Sequence, residues 1–323
     1  MADFDIFNGD ADGITALLQL RLAEPREAQL VTGIKRDIAL LERPELSEVG
    51  EGDRLVVLDL SLDKNRAPLE QFLERGAEVF YCDHHYAGAV PGSSRLLSLI
   101  NEAPEVCTSL LVNGYLRGRF AAWAVVGAFG DNLHDSARRL AVNIGLNEQQ
   151  SEALCELGEL LNYNGYGESL ADLHFHPAEL FTELLEFESP LELIENAAPA
   201  LAALRAGYAE DVAACDQVET LLSNSVGVVK LLPNAPWARR ISGVWANQLA
   251  RENPDSAVAL LTEKAGGYLV SVRAPLSRRT GAARLCRQFA SGGGREAAAG
   301  INLLVEQDRD NFLNKFSINF SNL

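Results

Sequence analysis

The amino-acid sequence predicts an α/β protein in which a parallel sheet with flanking helices is followed by a helical connector and a smaller α/β C-terminal domain. Three observations predict this architecture. The first third of the chain alternates short apolar runs with segments of helical spacing, as in a parallel sheet covered by helices. An acidic, alanine-rich stretch follows at 191–222, and strand-like runs return after it. The 323 residues, 47% of them hydrophobic, suffice for two cores.

The first domain is expected over residues 1–190. Its strands are predicted at 4–7, 29–34, 55–60 and 78–82, and its helices at 14–22 and 64–75. From 107 to about 162, apolar residues recur at helical spacing and complete this domain. Polar residues stand where the strands end, and open α/β sheets bind their ligands at the carboxyl ends of strands.

The rest of the chain is expected to form the connector and the second domain. Residues 191–222 have the composition of one long helix. Strands are predicted at 226–231, 257–263 and 267–272, the last two joined by a Lys264-Ala265-Gly266 turn. The second domain is therefore expected over residues 223–323.

The overall charge and the cysteine spacing exclude several classes of protein. Lys and Arg number 28 against 45 Asp and Glu, and the resulting net charge of −17 opposes non-specific binding to long nucleic acid. Neither a secretory leader nor a run of about 18 apolar residues is present, so no membrane association is expected. The five cysteines are widely spaced, which argues against a disulfide framework. A cytoplasmic protein is predicted.

Carboxylates follow two of the predicted strands. Asp10 and Asp12, in the sequence NGDADG at 8–13, can bend around one centre, and their oxygen atoms suit Mg²⁺ or Mn²⁺. The alternative is an acidic turn with Asp12 near a helix N-terminus. Asp59 ends the apolar run 55–58 and can lie beside this pair, although it could equally be a helix cap.

Two further motifs add a histidine and a fourth carboxylate. The triplet Asp83-His84-His85 follows a predicted strand, where imidazole can bind a metal and a neighbouring carboxylate can fix its tautomer. A pair of surface histidines is the weaker alternative. Asp131 closes an apolar helix, where the negative end of the helix dipole disfavours a carboxylate unless a cation lies opposite. A solvated loop aspartate is the alternative there.

A glycine-rich motif lies near the C-terminus. Residues 291–300, SGGGREAAAG, place a triple glycine before an alanine-rich segment that is expected to begin a helix. Such a turn lets backbone N–H groups approach an anion, and Arg295 adds a guanidinium that suits phosphate oxygens. A flexible linker is the alternative interpretation.

In this order the motifs resemble those of the DHH phosphoesterase superfamily, which is named after the triplet at 83–85. The resemblance spans nearly the whole chain, because Gly292–Gly300 is similar to the signature of the DHH-associated C-terminal domain. It implies two Mn²⁺ ions, with Mg²⁺ as the alternative, and Asp59 as their bridging ligand. The implied metal ligands are Asp10, Asp12, Asp59, His84 and Asp131, with Asn8 as a further candidate.

The resemblance also implies roles around the metal ions. Asp59, Asp83, His84 and His85 are the implied catalytic residues, with Asp83 orienting its neighbours and His85 close to the scissile phosphate. The C-terminal domain would hold the far end of the substrate. The implied substrate-binding residues there are Gly292, Gly293, Gly294, Arg295 and Arg273.

Two positions depart from the family pattern. Many members that cleave very short RNA or cyclic-dinucleotide products have histidine where this chain has Ile6. The sequence NGDADG instead resembles the RecJ branch, in which an oxygen-bearing residue stands at the position of Asn8. The second departure is Arg295, where the family usually has histidine. Arginine binds phosphate but cannot donate a catalytic proton.

Together these features predict a Mn²⁺-dependent phosphodiesterase that hydrolyses short oligonucleotides or small nucleotide phosphodiesters by a two-metal mechanism. A RecJ-like 5′-to-3′ exonuclease acting on single-stranded DNA is the main alternative, and polyphosphate hydrolysis is a third. A catalytically silent nucleotide-binding scaffold is the alternative outside the enzyme class. The sequence leaves open whether the chain forms a homodimer.

Overall fold

A five-stranded parallel sheet forms the centre of the first of two units, Met1–Ala206, in the computed structural model, which describes residues 1–321. Its strands are β1 (Asp3–Phe7), β2 (Gln29–Thr32), β3 (Arg54–Leu58), β4 (Glu78–Asp83) and β5 (Leu96–Ile100). They lie in the order β2-β1-β3-β4-β5, and every neighbouring pair is parallel. This confirms the predicted α/β class and the parallel N-terminal sheet.

Helices connect and cover these strands. The helices of the first unit are α1 (Ala11–Ala23), α2 (Leu62–Glu74), α3 (Thr108–Tyr115), α4 (Ala121–Gly130), α5 (His134–Asn143), α6 (Glu148–Gly165), α7 (Pro177–Leu184) and α8 (Pro190–Glu195). Short 3₁₀ helices lie at Leu40–Glu42, Pro44–Leu46 and Leu170–Asp172. The helix α9 (Pro199–Ala214) spans the division between the two units.

The strand register places the ends of four strands side by side. Phe7 pairs with both Thr32 and Leu58, and Leu58 pairs with Cys82. Because parallel strands share one direction, the residues that follow these four positions all emerge at the same edge of the sheet. This edge carries the predicted metal ligands.

The strands β1 and β3 are buried beyond their first residue, whereas the edge strand β5 is half-buried or exposed. Burial on both faces explains the nearly continuous apolar run of β3. On one face Ile6, Val57 and Tyr81 share a core with Leu69 and Phe72 of α2. Complete burial of one such side chain contributes about 1.5–3 kcal/mol. The helix α1 is buried from Ala11 to Arg21 because it contacts β1 and also α3, α4 and α6. Over these residues it therefore presents no face to solvent, and its polar side chains are buried as well.

The second unit, Gly207–Leu323, contains a six-stranded mixed sheet. Its strands are β6 (Glu219–Asn224), β7 (Gly227–Leu232), β8 (Ala257–Lys264), β9 (Gly267–Arg273), β10 (Gly292–Gly294) and β11 (Ala298–Val305), in the order β10-β11-β9-β8-β7-β6. Its helices are α10 (Pro236–Glu252), α11 (Ala282–Cys286) and α12 (Arg309–Ser321), with 3₁₀ turns at Cys215–Gln217 and Glu306–Asp308. The pair β7 and β8 is parallel, and the other neighbouring pairs are antiparallel.

The predicted single helix over 191–222 is wrong. The segment contains the end of α8, a break before Pro199, the helix α9 and the strand β6. Two features explain the break. Ala197 has a φ of +48°, which is outside the helical region, and Ala198 precedes Pro199, a position at which the helical conformation is disfavoured. The strand β6, which the prediction placed in the connector, is an edge strand of the second sheet.

The predicted helix start after the triple glycine is also wrong. Gly292–Gly294 is the strand β10, and it pairs antiparallel with Ala298–Val305. Glycine is needed for close approach, because a Cβ on Gly292 would lie 1.7 Å from the carbonyl oxygen of Cys286. Gly294 has a φ of +129°, which side-chain-bearing residues rarely adopt. The motif is therefore a β-hairpin.

Within the described part of the chain, no helix combines the length and the apolar character needed to cross a bilayer.

Candidate metal centre

His84 lies at the middle of a buried group of carboxylates at the carboxyl edge of the first sheet. Its Nε2 atom is 3.5 Å from Asp59 Oδ1, 3.8 Å from Asp131 Oδ2 and 4.0 Å from Asp12 Oδ2. Its Nδ1 atom lies 2.8 Å from the carbonyl oxygen of Val106, which can only accept a hydrogen bond. The proton of the neutral ring is therefore on Nδ1, and the Nε2 lone pair points at the three carboxylates.

Asp59 is held at this position by an unusual backbone conformation. It follows β3 directly and has a φ of +59°, a left-handed value that aspartate tolerates better than most residues. Its Oδ1 atom accepts a hydrogen bond from Thr108 Oγ1 at 3.2 Å. Its side chain is only 2% exposed. Backbone strain at a buried carboxylate is a frequent property of functional sites.

Asp10 and Asp12 are fixed by backbone N–H groups. Asp10 is the N-cap of α1 and accepts from the N–H groups of Asp12 and Gly13, both at 3.1 Å. Asp12 accepts from the N–H groups of Thr108 and Ser109, at 2.8 and 2.7 Å, at the N-terminus of α3. Asp12 thus lies in the first turn of a helix, as the alternative interpretation expects, and both side chains are also buried within the carboxylate group.

Asp131 is positioned by the turn that ends α4. It is the C-cap residue, and Asn132 after it has a φ of +61°. The N–H of Asn132 donates to Phe129 O at 2.9 Å and the N–H of Leu133 donates to Ala128 O at 2.8 Å, which is a Schellman motif. Asp131 is 22% exposed, and its Oδ2 atom lies 3.8 Å from His84 Nε2. The cation expected opposite this helix end stays a prediction.

Asp83 and His85 form a second pair in the same cluster. His85 Nδ1 lies 2.7 Å from Asp83 Oδ1 and 3.8 Å from Asp59 Oδ1. The nitrogen and oxygen atoms of Asp59, His84 and His85 approach one another within 4.8 Å. The His85 side chain is 38% exposed, in contrast to 4% for His84. His85 is thus the histidine of the cluster that reaches solvent.

The electrostatics of the cluster show strong crowding of negative charge. Burial raises the pKa of the Asp59 carboxyl well above its ordinary value, and the charges of Asp12 and Asp10 raise this pKa further. Burial also raises the pKa of Asp12, although His84 acts in the opposite direction. For His85, burial would lower the pKa, but the hydrogen bond to Asp83 and the charges of Asp59 and Asp83 together outweigh it and raise the pKa. Such shifts are typical of functional sites.

A lysine that the sequence interpretation missed completes the cluster. Lys35 forms a very short ion pair with Asp10 Oδ2 and donates to Asn162 Oδ1 at 2.8 Å. Burial favours protonation of Asp10, but Lys35 outweighs it and lowers the pKa of this carboxyl. Lys35 lies three residues beyond β2, at the sheet edge that also carries Asp10 and Asp59. Its place after a strand was the signal that could have found it.

The donor set fits divalent cations. It combines carboxylate oxygens with the lone pair of one imidazole, a mixture that suits Mn²⁺ and also accepts Mg²⁺. Within residues 1–321, two buried oxygens of the region, Asn8 Oδ1 and Asp83 Oδ2, have no hydrogen-bond partner. Unsatisfied buried oxygens are costly, and a cation close to Asn8 would compensate its oxygen.

The remaining predicted site residues lie in the second unit. Arg273, at the end of β9, pairs with Ala298 of β11 and donates to Asn247 Oδ1 at 2.5 Å. Arg295 is exposed in the turn between β10 and β11, and its N–H donates to Ala298 O at 2.9 Å. Arg273 and Arg295 thus flank the same residue at one end of the glycine hairpin, Gly292–Val305.

The second unit matches a known family model, and the whole chain shares its fold with solved structures. The family model of the DHHA1 domain matches residues 224–322. No curated protein matches the chain. The manganese-bound crystal structure of exonuclease RecJ is 18% identical, over 100% of this chain and 90% of its own, with a TM-score of 0.63.

Two further solved structures share the fold. A pGpG-specific phosphodiesterase from Vibrio cholerae is 15% identical over 99% of this chain and 100% of its own, with a TM-score of 0.55. An exopolyphosphatase-related protein from Bacteroides fragilis is 13% identical over 99% of this chain and 92% of its own, with a TM-score of 0.53. These similarities show that the chain has a RecJ-like fold and that its residues 224–322 match the DHHA1 domain.

Proposed function

We propose that this protein is a phosphodiesterase that hydrolyses short oligonucleotides or small nucleotide phosphodiesters. Its centre would hold two divalent metal ions, with Mn²⁺ as the preferred ion. One observation carries the proposal: a buried imidazole lone pair on His84 is directed at three carboxylates within 4.0 Å. Such a concentration of buried negative charge is unfavourable unless cations compensate it. A scaffold without catalytic function would have no use for it.

The metal ligands would be Asp10, Asp12, Asp59, His84 and Asp131, with Asn8 as a further oxygen donor and Asp59 shared between the two ions. Divalent ions held there would supply an activated water molecule and neutralise charge on the phosphoryl group during in-line attack.

The protein's own residues orient this chemistry. The carbonyl of Val106 fixes the His84 ring, and the N–H groups of Thr108 and Ser109 fix the Asp12 carboxylate. Asp83 holds His85 through Nδ1, so that Nε2 of this partly exposed ring is the atom available to a phosphate oxygen. The raised pKa of His85 favours a protonated ring, which could donate to that oxygen.

The second unit would bind the substrate at a distance from the scissile bond. Arg295 and Arg273 are proposed to contact further phosphate groups, since the planar guanidinium matches phosphate oxygens. Among Gly292, Gly293 and Gly294, Gly293 has open space where a side chain would stand, so the substrate would approach the backbone there. Gly292 and Gly294 instead pack closely against Cys286 and Ala299 and shape the hairpin. As a β-hairpin, the glycine motif would present Arg295 from a turn.

The net charge of the protein favours one size of substrate over another. A net charge of −17 opposes long polyanions, and this favours short substrates over long DNA. The similarity of the fold to RecJ, an exonuclease, supports a 5′-to-3′ single-stranded DNA exonuclease as the second candidate. The similarity to an exopolyphosphatase-related protein supports polyphosphate hydrolysis as the third. The similarity to a pGpG-specific phosphodiesterase supports the smaller substrate.

One experiment ranks these functions. The purified protein is incubated with Mn²⁺ and, separately, a dinucleotide, a 5-mer, long single-stranded DNA and polyphosphate, and the products are quantified. We expect the fastest turnover for the dinucleotide and the 5-mer. Preference for long DNA would establish the exonuclease instead, and absence of turnover with every substrate would contradict the assignment as an enzyme.

A further inference from the structure

Lys35 is the one cation that the structure places directly on the carboxylates of the proposed metal centre, within the described residues. Its ammonium group contacts Asp10 Oδ2 and Asn162 Oδ1, and it lies 5.6 Å from the ring centroid of Tyr166. The side chain is 21% exposed, so it is partly accessible from solvent while it contacts Asp10, which is only 4% exposed.

The surroundings hold Lys35 in this position through its backbone as well. Its N–H donates to Gly165 O at 2.8 Å, and its carbonyl accepts from Asn8 Nδ2 at 3.3 Å. Gly165 lets the end of α6 come this close, because a Cβ there would lie 3.0 Å from Gly9 O and 3.1 Å from Asp10 Cβ. The position of the ammonium is therefore built by three segments of the first unit.

The net charge of the proposed metal centre indicates a function for the ammonium group of Lys35. Asp10, Asp12, Asp59 and Asp131 carry four negative charges, which two divalent ions would only neutralise. A neutral centre attracts an anionic phosphodiester weakly, because the attraction depends on net charge. The further carboxylate Asp83 is paired with His85, which balances its charge when the ring is protonated. Lys35 would therefore make the net charge of the centre positive.

The hydrogen-bonding capacity of the ammonium allows a further contact. An ammonium group has three N–H donors, and Asp10 and Asn162 accept two of them. In the part of the chain that the structure describes, the third has no oxygen or nitrogen acceptor, so it is available for a further contact. The nearby Tyr166 ring stabilises the cation without consuming a strong donor. Tyr166 is itself only half-buried, so this side of the ammonium borders solvent.

We propose that Lys35 is a substrate-binding residue, whose ammonium group binds a phosphate oxygen of the phosphodiester while it also balances the charge of Asp10. This rests on the proposed phosphodiesterase function, and it names a residue that selects anionic substrates in the first unit. A purely structural ion pair between Lys35 and Asp10 is the competing explanation.

The test compares Lys35→Gln with Lys35→Arg and with a matched control, Lys64→Gln. Lys64 is a lysine of the same unit that is 62% exposed and pairs only with the surface residue Asp63 in the part of the chain described. For each variant, the affinity of the Mn²⁺-loaded protein for inorganic phosphate and its affinity for Mn²⁺ are measured by titration calorimetry. Steady-state KM and kcat for a dinucleotide and the thermal unfolding midpoint complete the measurements.

For Lys35→Gln we expect about tenfold weaker phosphate binding and an about tenfold higher KM, with kcat changed by less than about threefold, because a charge-assisted contact in both ground and transition state is lost. Mn²⁺ affinity should be unchanged or tighter, since Asp10 loses a competing cation. Lys35→Arg should restore most of the phosphate affinity, and Lys64→Gln should match the wild type.

Two results would overturn the inference. Wild-type phosphate affinity in Lys35→Gln would show that Lys35 does not bind the anion. Parallel losses of Mn²⁺ affinity, phosphate affinity and thermal stability would show that Lys35 only organises the ligands. If no substrate is hydrolysed by the wild type, the proposed function fails, but phosphate titration of the Mn²⁺-loaded variants still decides the role of Lys35.

Discussion

The two sheets of this protein present their polar residues in different ways. In the first sheet all strands are parallel, so four strand ends lie level at one edge and bring together residues from 10 to 131 in the chain. In the second sheet most neighbours are antiparallel, and the candidate residues lie on one hairpin and the strand beside it. The candidate residues of the first sheet are mostly buried and come from distant parts of the chain. In the second sheet, Arg295 is exposed on a turn.

This difference between the two sheets predicts which substitutions have large effects on activity and which have small ones. The activity of a buried group of carboxylates is expected to depend on every member. Removal of any one of them changes both the charge of the group and the number of metal ligands. An exposed guanidinium acts largely alone, and solvent screens its charge. Substitutions in the first sheet should therefore affect turnover strongly, and those in the hairpin should affect only substrate affinity.

The largest effect is expected for Asp59→Asn. Asparagine tolerates the left-handed backbone conformation of this residue, so the substitution removes the charge without adding the strain that alanine would introduce. We expect a loss of turnover of at least about 10³-fold, with the unfolding midpoint unchanged or raised, because a residue that would bridge both ions is lost. Initial rates on the dinucleotide measure the loss, and circular dichroism measures the unfolding.

The matched control for this variant is Asp63→Asn on α2, where the carboxylate is 36% exposed and pairs with Lys64 and Arg66 at the surface. It should retain turnover within about twofold, as surface substitutions usually do. Substantial Mn²⁺-dependent turnover by Asp59→Asn, or by His84→Ala, would contradict the assignment of the metal centre.

The next effect concerns pH. The pKa values of Asp12 and Asp59 are raised, so protons compete with metal ions for these carboxylates as the pH falls. Since metal ligands must be deprotonated, we expect Mn²⁺ affinity to rise with pH, by at least about tenfold between pH 6 and pH 8. Calorimetric titration at several pH values measures this. An affinity independent of pH would show that these carboxylates are not ligands.

A smaller effect is expected in the hairpin. Arg295→Ala should raise KM by about three- to tenfold with little change in kcat, since it removes one exposed phosphate contact. Arg295 is a cleaner probe than Arg273, whose hydrogen bond to Asn247 has a structural role. Exposed Arg278 of the same unit provides the matched control. A loss of kcat comparable to that of Asp59→Asn would mean that the hairpin takes part in catalysis.

The smallest effect is expected at the cysteines. Four of the five are buried, and Cys155 is half-buried. Burial raises the pKa of Cys215 to about 12 and that of Cys286 to about 12, so their reactive thiolate forms are scarce at pH 8. We expect Cys155 to be the first thiol that reacts with a disulfide reagent in the native protein, without loss of turnover. Rapid modification of Cys215 or Cys286 would contradict the burial seen here.

Much of the fold and of the cluster was predictable from local sequence. The apolar runs before Asp59 and Asp83 have the length and composition of buried parallel strands, and a parallel sheet brings its strand ends to one edge. The position of Asp131 was predictable from the end of an apolar helix. The electrostatic argument for a partner cation needed no tertiary information.

The remaining features depend on tertiary contacts. The alanine-rich segment after Gly294 has the composition of a helix, but its position between β9 and β10 makes it a strand, because tertiary context overrides intrinsic propensity. Lys35 meets Asn162 across 127 residues of chain, and no local pattern relates them. The break at Pro199 was visible in the sequence, and the alanine content of the segment obscured it.

The hydrogen bonds from Thr108 and Ser109 to Asp12 have a consequence for how the protein folds. They join residues that are 96 and 97 positions apart, so they close a loop of chain that contains β2, β3, β4 and β5. Contacts of such long sequence separation carry a high loop-closure entropy and tend to form late. The cation site should therefore be absent from partly folded chains, and binding of the first Mn²⁺ ion during refolding would report completion of the native topology.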